Sequence, residues 1–191
     1  NVFWHPWFCD FRGRMIPRCT NLSPQGGDLD KALIRFKHWK PMGTSKNDET
    51  GFGWLQVHVH NLMEGVESGL WEDDKAEKGL SFEERREWVN RNEEHLREIA
   101  RNPREHVDSL GLGQHRHGRR EDLQRVAALI EFDRVLECYE GEGRDWTAVK
   151  SGMPVHLDAS CNGYQHVSTL LRHPELARLV NVIPSERPQD L

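Results

Sequence analysis

Apolar positions recur at helical spacing along most of the chain, which predicts a mainly helical protein. From Asp28, read as an N-cap, Leu29, Leu33 and Phe36 mark a first helix that ends before Pro41. In "GWLQVHVHNLM", Leu55, Val59 and Leu62 or Met63 share one face and predict a second. "SFEERREWVNRNEEHLREIA" opens on a capping-box pair, Ser81 and Glu84, and carries Trp88, Leu96 and Ile99 as its apolar stripe, with Pro103 just past its end. A helix from about 121 to 139 takes Leu123, Val126, Ala127 and Ile130 as its inner face, and "GYQHVSTLLR" reads as another. Ser185 is placed to cap one more. "MPVHLD" is the one short strand expected. Residues 1–27 read as extended chain and loop, and "WEDDKAEKG", "LGLGQHRHGRRE" and "EGEGRDWTAVKSG" as connectors. The result is an α+β chain, mostly helical, with no repeat and no linker dividing it.

Composition changes that picture in one respect. At 191 residues the chain is long enough for a core, yet 36% hydrophobic against 30% charged is wet for a self-contained globule. It opens on "NVFWHPWFCD" and stops on "SERPQDL", so the expectation is a single incomplete piece, 1–191, of something longer. No apolar run approaches the roughly 18 residues of a membrane helix. Cys9, Cys19, Cys138 and Cys161 lack metal or disulfide spacing and read as isolated buried thiols in a reducing compartment. The net charge of -5 argues against indiscriminate nucleic-acid binding, but residues 1–47 hold eight basic residues against three acidic ones, so the basic face lies at the front. His58 and His60 fall on different faces of a helix, and His115 and His117 sit in a loop without zinc-spaced partners. Both pairs read as packing or solvated residues.

Two stretches carry chemistry. In "CDFRGRMIP", Arg12 and Arg14 flank Gly13, which lets backbone approach a ligand closely, and guanidinium forks suit phosphate oxygens. The alternative is an ordinary surface loop with an Asp10–Arg pair. In "MPVHLDASCNGYQH", a short strand delivers Asp158 to a turn of small residues. One carboxylate with nearby backbone oxygen suits magnesium, which takes one or two carboxylates plus substrate phosphates. Equally, Asp158 could cap the helix that follows, a contact of roughly 1 kcal/mol. The residues alone leave both choices open.

Together the two stretches resemble one family. "DFRGR" is similar to the D-x-x-G-R element of single-subunit, phage-type DNA-directed RNA polymerases, which include mitochondrial and plastid enzymes. "PVHLDASCNGYQH" resembles their motif A: proline, an aliphatic residue, two variable positions, Asp, Gly or Ala, Ser-Cys, Ser or Asn, Gly, an apolar residue and Gln. "LSPQGGDLDKALIRF", "WLQVHVHNL", "LSFEERREWV" and "VNVIPSERPQD" match in the same order, so the resemblance spans the chain. DNA polymerases of related fold lack the S-C-N-G run.

The resemblance implies part of the palm core of a palm, fingers and thumb polymerase. Asp158 is then one of two aspartates that bind two Mg2+ ions, and the Ala159 carbonyl is a backbone ligand. Arg12 and Arg14 contact phosphates of the template–RNA hybrid, and Gly163, Gln165 and His166 shape the floor of the nucleotide site. Implied partners are DNA template, RNA product, nucleoside triphosphates and transcription accessory factors, with no membrane. The "VH-x-D-x-SCNG" flavour points to a mitochondrion, with a plastid or a phage-infected cell as alternatives.

Departures are specific. Where the family has a triphosphate-reaching Lys three residues before the Phe of "SFEER", Gly79 stands, leaving Lys78 as the candidate. Leu157 stands where organellar members often have Gln, Ala159 where Gly is commoner, and the lead-in "GQHRHGRRE" is unlike the family's. Motif B and motif C, with the second aspartate, have no counterpart, so the piece alone is expected to be inactive. The competing reading is a non-catalytic, nucleic-acid-binding remnant of the same fold.

Overall fold

The computed structural model describes residues 2–64, 66, 76, 80–107, 110, 121–156 and 162–183. Its centre is α5 (Asp122–Gly141), against which α1 (Asp28–Leu33), α2 (Thr50–Met63) and α4 (Glu93–Arg101) pack. α3 (Phe82–Arg91) covers α2 from the other side. A hairpin of β1 (Trp7–Cys9) and β2 (Met15–Pro17) stands at the front, in antiparallel register Phe8↔Ile16. β3 (Lys40–Pro41) and β4 (Lys150–Ser151) form a second two-stranded pairing, and α6 (Asn162–Leu170) packs on α7 (Pro174–Leu179). The architecture is the mostly helical α+β arrangement that the pattern predicts. No described helix is long and apolar enough to cross a membrane.

The core forms where the helical stripes meet. Leu55, Val59 and Met63 of α2, Trp88 and Val89 of α3, Leu96 and Ile99 of α4, and Leu129, Phe132 and Val135 of α5 are all buried in one cluster. Each such side chain contributes about 1.5–3 kcal/mol when fully removed from water. Phe52 stacks between Phe132 (5.7 Å) and Trp146 (4.7 Å), and Trp146 in turn stacks on Tyr139 at 3.8 Å. These ring contacts fasten the 142–149 loop to the core.

Local signals explain most element boundaries. The capping box is formed: the Ser81 hydroxyl accepts from the Glu84 N–H, and the Glu84 carboxylate accepts from the Ser81 N–H. The segment read as one helix over 81–100 breaks at Asn92 (φ -102°, ψ 11°), whose side-chain amide donates to the Trp88 carbonyl at 2.9 Å. A short amide competing for the helix's own acceptors is a known reason for such a break. Trp88, Leu96 and Ile99 nevertheless stay on the buried side.

Other expectations need correction. α1 is six residues long, and Leu29, Leu33 and Phe36 are exposed; Ala32 is what it buries, because a short helix lies close on α5 through a small side chain. Gly27, not Asp28, is its N-cap. The Asp28 carboxylate instead accepts from the backbone N–H groups of Leu123 (2.7 Å) and Gln124 (3.0 Å), capping the first turn of α5 from 95 residues away. That satisfies donors α5 cannot satisfy itself, a contribution of about 1 kcal/mol. On α5, Leu123 and Ile130 are exposed, while Gln124, Ala128, Leu129 and Phe132 face inward. Charged Glu131 and Asp133 are buried with them, which defeats a purely apolar reading of the face. "MPVHLD" is not a strand over its described part: pairing stops at Ser151, and residues 153–156 run on without a partner strand among the described residues. α7 was not foreseen; Pro174 starts it, and the His173 ring accepts from the Leu176 N–H. Cys9, Cys19 and Cys138 are free as expected, but none of the three is fully buried. Cys161, His115, His117 and Ser185 lie outside the described residues.

α2 is buried nearly all round and carries histidines into the interior. His60 is fully buried, its ring edge-on to Trp88 at 5.4 Å. Burial, and then the Arg85 guanidinium, push it down from 6.5 to about 4. The folded state therefore holds His60 neutral, while the unfolded chain takes up a proton below about 6.5. The stability that this neutrality contributes is complete above about 6.5 and is lost as the pH falls toward 4. Urea unfolding between pH 7 and 4 should show stability falling by about 1–3 kcal/mol through this route. His60→Leu should flatten that slope; an unaltered slope in the variant would contradict the assignment.

Candidate active-site segment

The site begins with the hairpin. Residues 10–14 close the turn between β1 and β2, with Gly13 at φ 77°, a conformation that favours glycine. The Asp10 carboxylate organises the turn, accepting from the backbone N–H groups of Arg12 and Arg14, both at 2.9 Å. These backbone bonds, together with the Arg12 guanidinium, hold its carboxyl below the usual range. The Arg12 guanidinium donates twice to Asp10, at 2.9 and 2.8 Å, and lies over the Phe11 ring. Arg14 is exposed, and its guanidinium makes no hydrogen bond or ion pair among the described residues. The two arginines are thus placed side by side but are not equivalent. Loop and Asp10–Arg pair are both present, and Arg14 remains available to an anion.

A second part is the track that leads toward Asp158. Met42 N–H donates to the Val149 carbonyl (2.9 Å), β4 pairs with β3, and the Phe36 N–H donates to the Gly152 carbonyl (2.7 Å). From the α5 side, buried Glu131 accepts from the Ser151 hydroxyl (2.5 Å) and from Arg134. Arg134 also donates to the Lys150 carbonyl at 2.7 Å and lies 4.8 Å over the Trp39 ring. Met153 packs on the core, and His156 lies 6.1 Å, ring to ring, from buried His58 on α2. Burial foremost, then His156 and Arg35, push His58 down to about 4, so it is neutral at pH 7. Residues 149 to 153, with His156, are therefore held by contacts to α2, α5, β3, Phe36 and Met42. None of these supports was read from the sequence. The signal available was Gly152, directly before the "MPVH" run, where a close backbone approach needs a missing side chain.

Asp158, Ala159 and Lys78 lie outside the described residues. Among the described residues no group of three His, Cys, Asp or Glu side chains is arranged to hold a metal. Gly163 and His166 are exposed near the start of α6. Gln165 is turned away from them: its amide donates to the Val180 carbonyl (2.8 Å), and its backbone carbonyl accepts from Ser168 and Thr169. Its visible work is joining α6 to α7.

The sequence profile of the DNA-dependent RNA polymerase family matches residues 45–191. The chain belongs to this family. The DNA-dependent RNA polymerase relatives it is similar to include the mitochondrial DNA-directed RNA polymerase of Neurospora crassa, 32% identical over 190 residues, covering 100% of this chain and 11% of that protein. The mitochondrial enzyme of Homo sapiens is 31% identical over 191 residues, covering 100% and 13%. DNA-directed RNA polymerase 2, chloroplastic/mitochondrial, of Arabidopsis thaliana is 32% identical over 191 residues, covering 100% and 16%. The chain thus spans a small part of the curated polymerases it matches, and the phage-type resemblance read from its motifs stands.

The anchored track yields a stability test. A side chain at Gly152 would collide with the Trp39 indole nitrogen and lie 2.9 Å from the Phe36 carbonyl oxygen. Gly152→Ala should cost about 1–3 kcal/mol in chemical denaturation. Gly163→Ala, where nothing among the described residues lies within 4 Å, should leave stability unchanged within about 0.5 kcal/mol. Equal effects of the two substitutions would contradict the anchoring.

Proposed function

We propose that this chain is one incomplete piece, 1–191, of the palm region of a DNA-templated RNA polymerase. In the longer enzyme, nucleoside triphosphates are added to the RNA 3′ end on a DNA template. The observation that carries the reading is the motif A run at 154–166, joined to the D-x-x-G-R turn by a family match that extends along the chain.

Asp158 and the Ala159 carbonyl are hard oxygen donors of the kind magnesium accepts, so the residues suit the metal that the family implies. When bound, a pair of such ions supplies charge stabilisation to an in-line phosphoryl transfer. The chain's own residues do the positioning. Lys150, Ser151 and Gly152 are tied to α5, β3 and the Phe36–Trp39 segment, which gives the approach to Asp158 a rigid base. Arg14, with Arg12 beside it, faces hybrid phosphates and fixes register without reading sequence. Gly163 and His166 border the nucleotide site, with Gln165 holding their helix on α7. Lys78 is the candidate for the triphosphate. Relatives named as mitochondrial and chloroplastic support a mitochondrial setting, with a plastid as the alternative.

In a polymerase that contains this chain, Asp158→Asn should reduce nucleotide addition to background while template binding stays within about twofold. Equal loss of both would count against a metal role. Arg14→Ala should lower the slope of log affinity against log salt by about 1, and Arg12→Ala by less, since Asp10 already neutralises it. An unchanged slope with Arg14→Ala would remove the phosphate assignment. Unaltered addition with Asp158→Asn would remove the catalytic assignment of Asp158, and template binding without any addition by the unsubstituted protein would favour the non-catalytic remnant.

A further inference from the structure

A cleft of about 480 Å³ opens between the starts of α2 and α3, lined by residues that none of the polymerase motifs at Asp10–Arg14 or 154–166 includes. Trp54 and Phe82 form one wall, half-exposed and edge to face at 5.1 Å. Gly53 opens the floor. With no side chain there, the Arg86 guanidinium lies against α2, and an added Cβ would stand 3.0 Å from its Nε.

The charges in the cleft are unequal. Among the described lining residues, Asp48, Glu49 and Glu83 stand against the single cation Arg86. Arg86 is already committed: it donates to Glu49 at 2.5 Å and to Gln56 at 3.4 Å, and stands 3.8 Å from Glu83. Asp48 accepts from the backbone and hydroxyl groups of both Thr44 and Thr50, bonds that hold its carboxyl low and keep it ionised. Glu83 is 76% exposed in its side chain.

Both helix starts already carry carboxylate acceptors. Asp48 takes the Thr50 N–H at the head of α2, and the Ser81–Glu84 capping box takes the Ser81 and Glu84 N–H groups at the head of α3. A phosphate entering here would meet three carboxylates against one committed guanidinium among the described lining residues. A planar cation would meet an indole face and a solvated carboxylate, the pairing that favours guanidinium over ammonium.

We infer that this cleft docks an arginine side chain from a basic segment of a protein partner, the guanidinium stacking on Trp54 and pairing with Glu83. The inference does not depend on the polymerase reading, because it rests on the charge and shape of the cleft.

The test is a titration of the isotopically labelled 191-residue chain with tetra-arginine, tetra-lysine and tetra-glutamate peptides and a short oligonucleotide. It follows the Trp54 indole resonance. Tetra-arginine should shift that resonance saturably and bind several-fold tighter than tetra-lysine, with no effect from tetra-glutamate or the oligonucleotide. Trp54→Ala and Glu83→Gln should each weaken tetra-arginine, read on the remaining resonances of α2 and α3, by about five- to tenfold. Both side chains are solvent-accessible, and circular dichroism of each variant checks the fold; if Trp54→Ala unfolds the chain, Glu83→Gln decides alone. Undiminished arginine affinity in the folded variants overturns the inference. So does saturable binding of the oligonucleotide or tetra-glutamate at Trp54, which would make the cleft an anion site.

Discussion

Helix α5 takes two carboxylates into the interior, and much of the molecule is arranged to keep them paired. Asp133 accepts from the Arg97 Nε at 2.8 Å and from Arg101 at 3.1 Å, both donated by α4. Arg97 also donates to Glu140, about two turns further along α5, at 2.6 Å; this bond is the largest of the influences that raise its pKa. Glu131, on a different face of α5, holds Arg134 and Ser151. A buried carboxylate stripped of its partner costs about 3–5 kcal/mol, so α4 and β4 are not free to shift relative to α5. The ion pairs act less as a net source of stability than as a register for the elements packed on this helix.

That register reaches the candidate site. β4 has two residues, too few to be stable by its own ladder. It is fixed because Glu131 and Arg134 bond its Ser151 hydroxyl and Lys150 carbonyl, and because Arg134 is itself held over Trp39. Asp28 works from the other end of α5, capping its first turn and binding α1 to it. One helix thus sets both the approach to Asp158 and, through α1 and the Asp30–Leu22 bond, the base of the loop that follows the hairpin.

What the sequence made legible follows from the range of the interactions. The Ser81–Glu84 box and the Trp88, Leu96 and Ile99 stripe are local and were readable. So was the turn at Gly13, which needs a positive φ. The inner face of α5 was not, because its buried positions include Gln124, Glu131 and Asp133, whose partners are supplied by distant parts of the chain. Asp28 escapes a local reading for the same reason: its side chain serves a helix 95 residues away. Motif A could be recognised as a pattern of residue types, whereas the supports beneath it, Gly152 on Trp39 and His58 on His156, are tertiary contacts with no local signature.

The hairpin shows how far a motif and its geometry can differ in meaning. Two arginines in D-x-x-G-R suggest two equal phosphate contacts. Asp10 breaks that equality, because the same carboxylate that accepts both backbone N–H groups also binds the Arg12 guanidinium. An incoming phosphate must compete with Asp10 for Arg12, and exposed pairs of this kind are worth only about 0–1 kcal/mol, so the competition is winnable. Among the described residues, no carboxylate hydrogen-bonds the Arg14 guanidinium. The aspartate therefore shapes the turn and ties up the Arg12 guanidinium, while the Arg14 side chain stands exposed beside it.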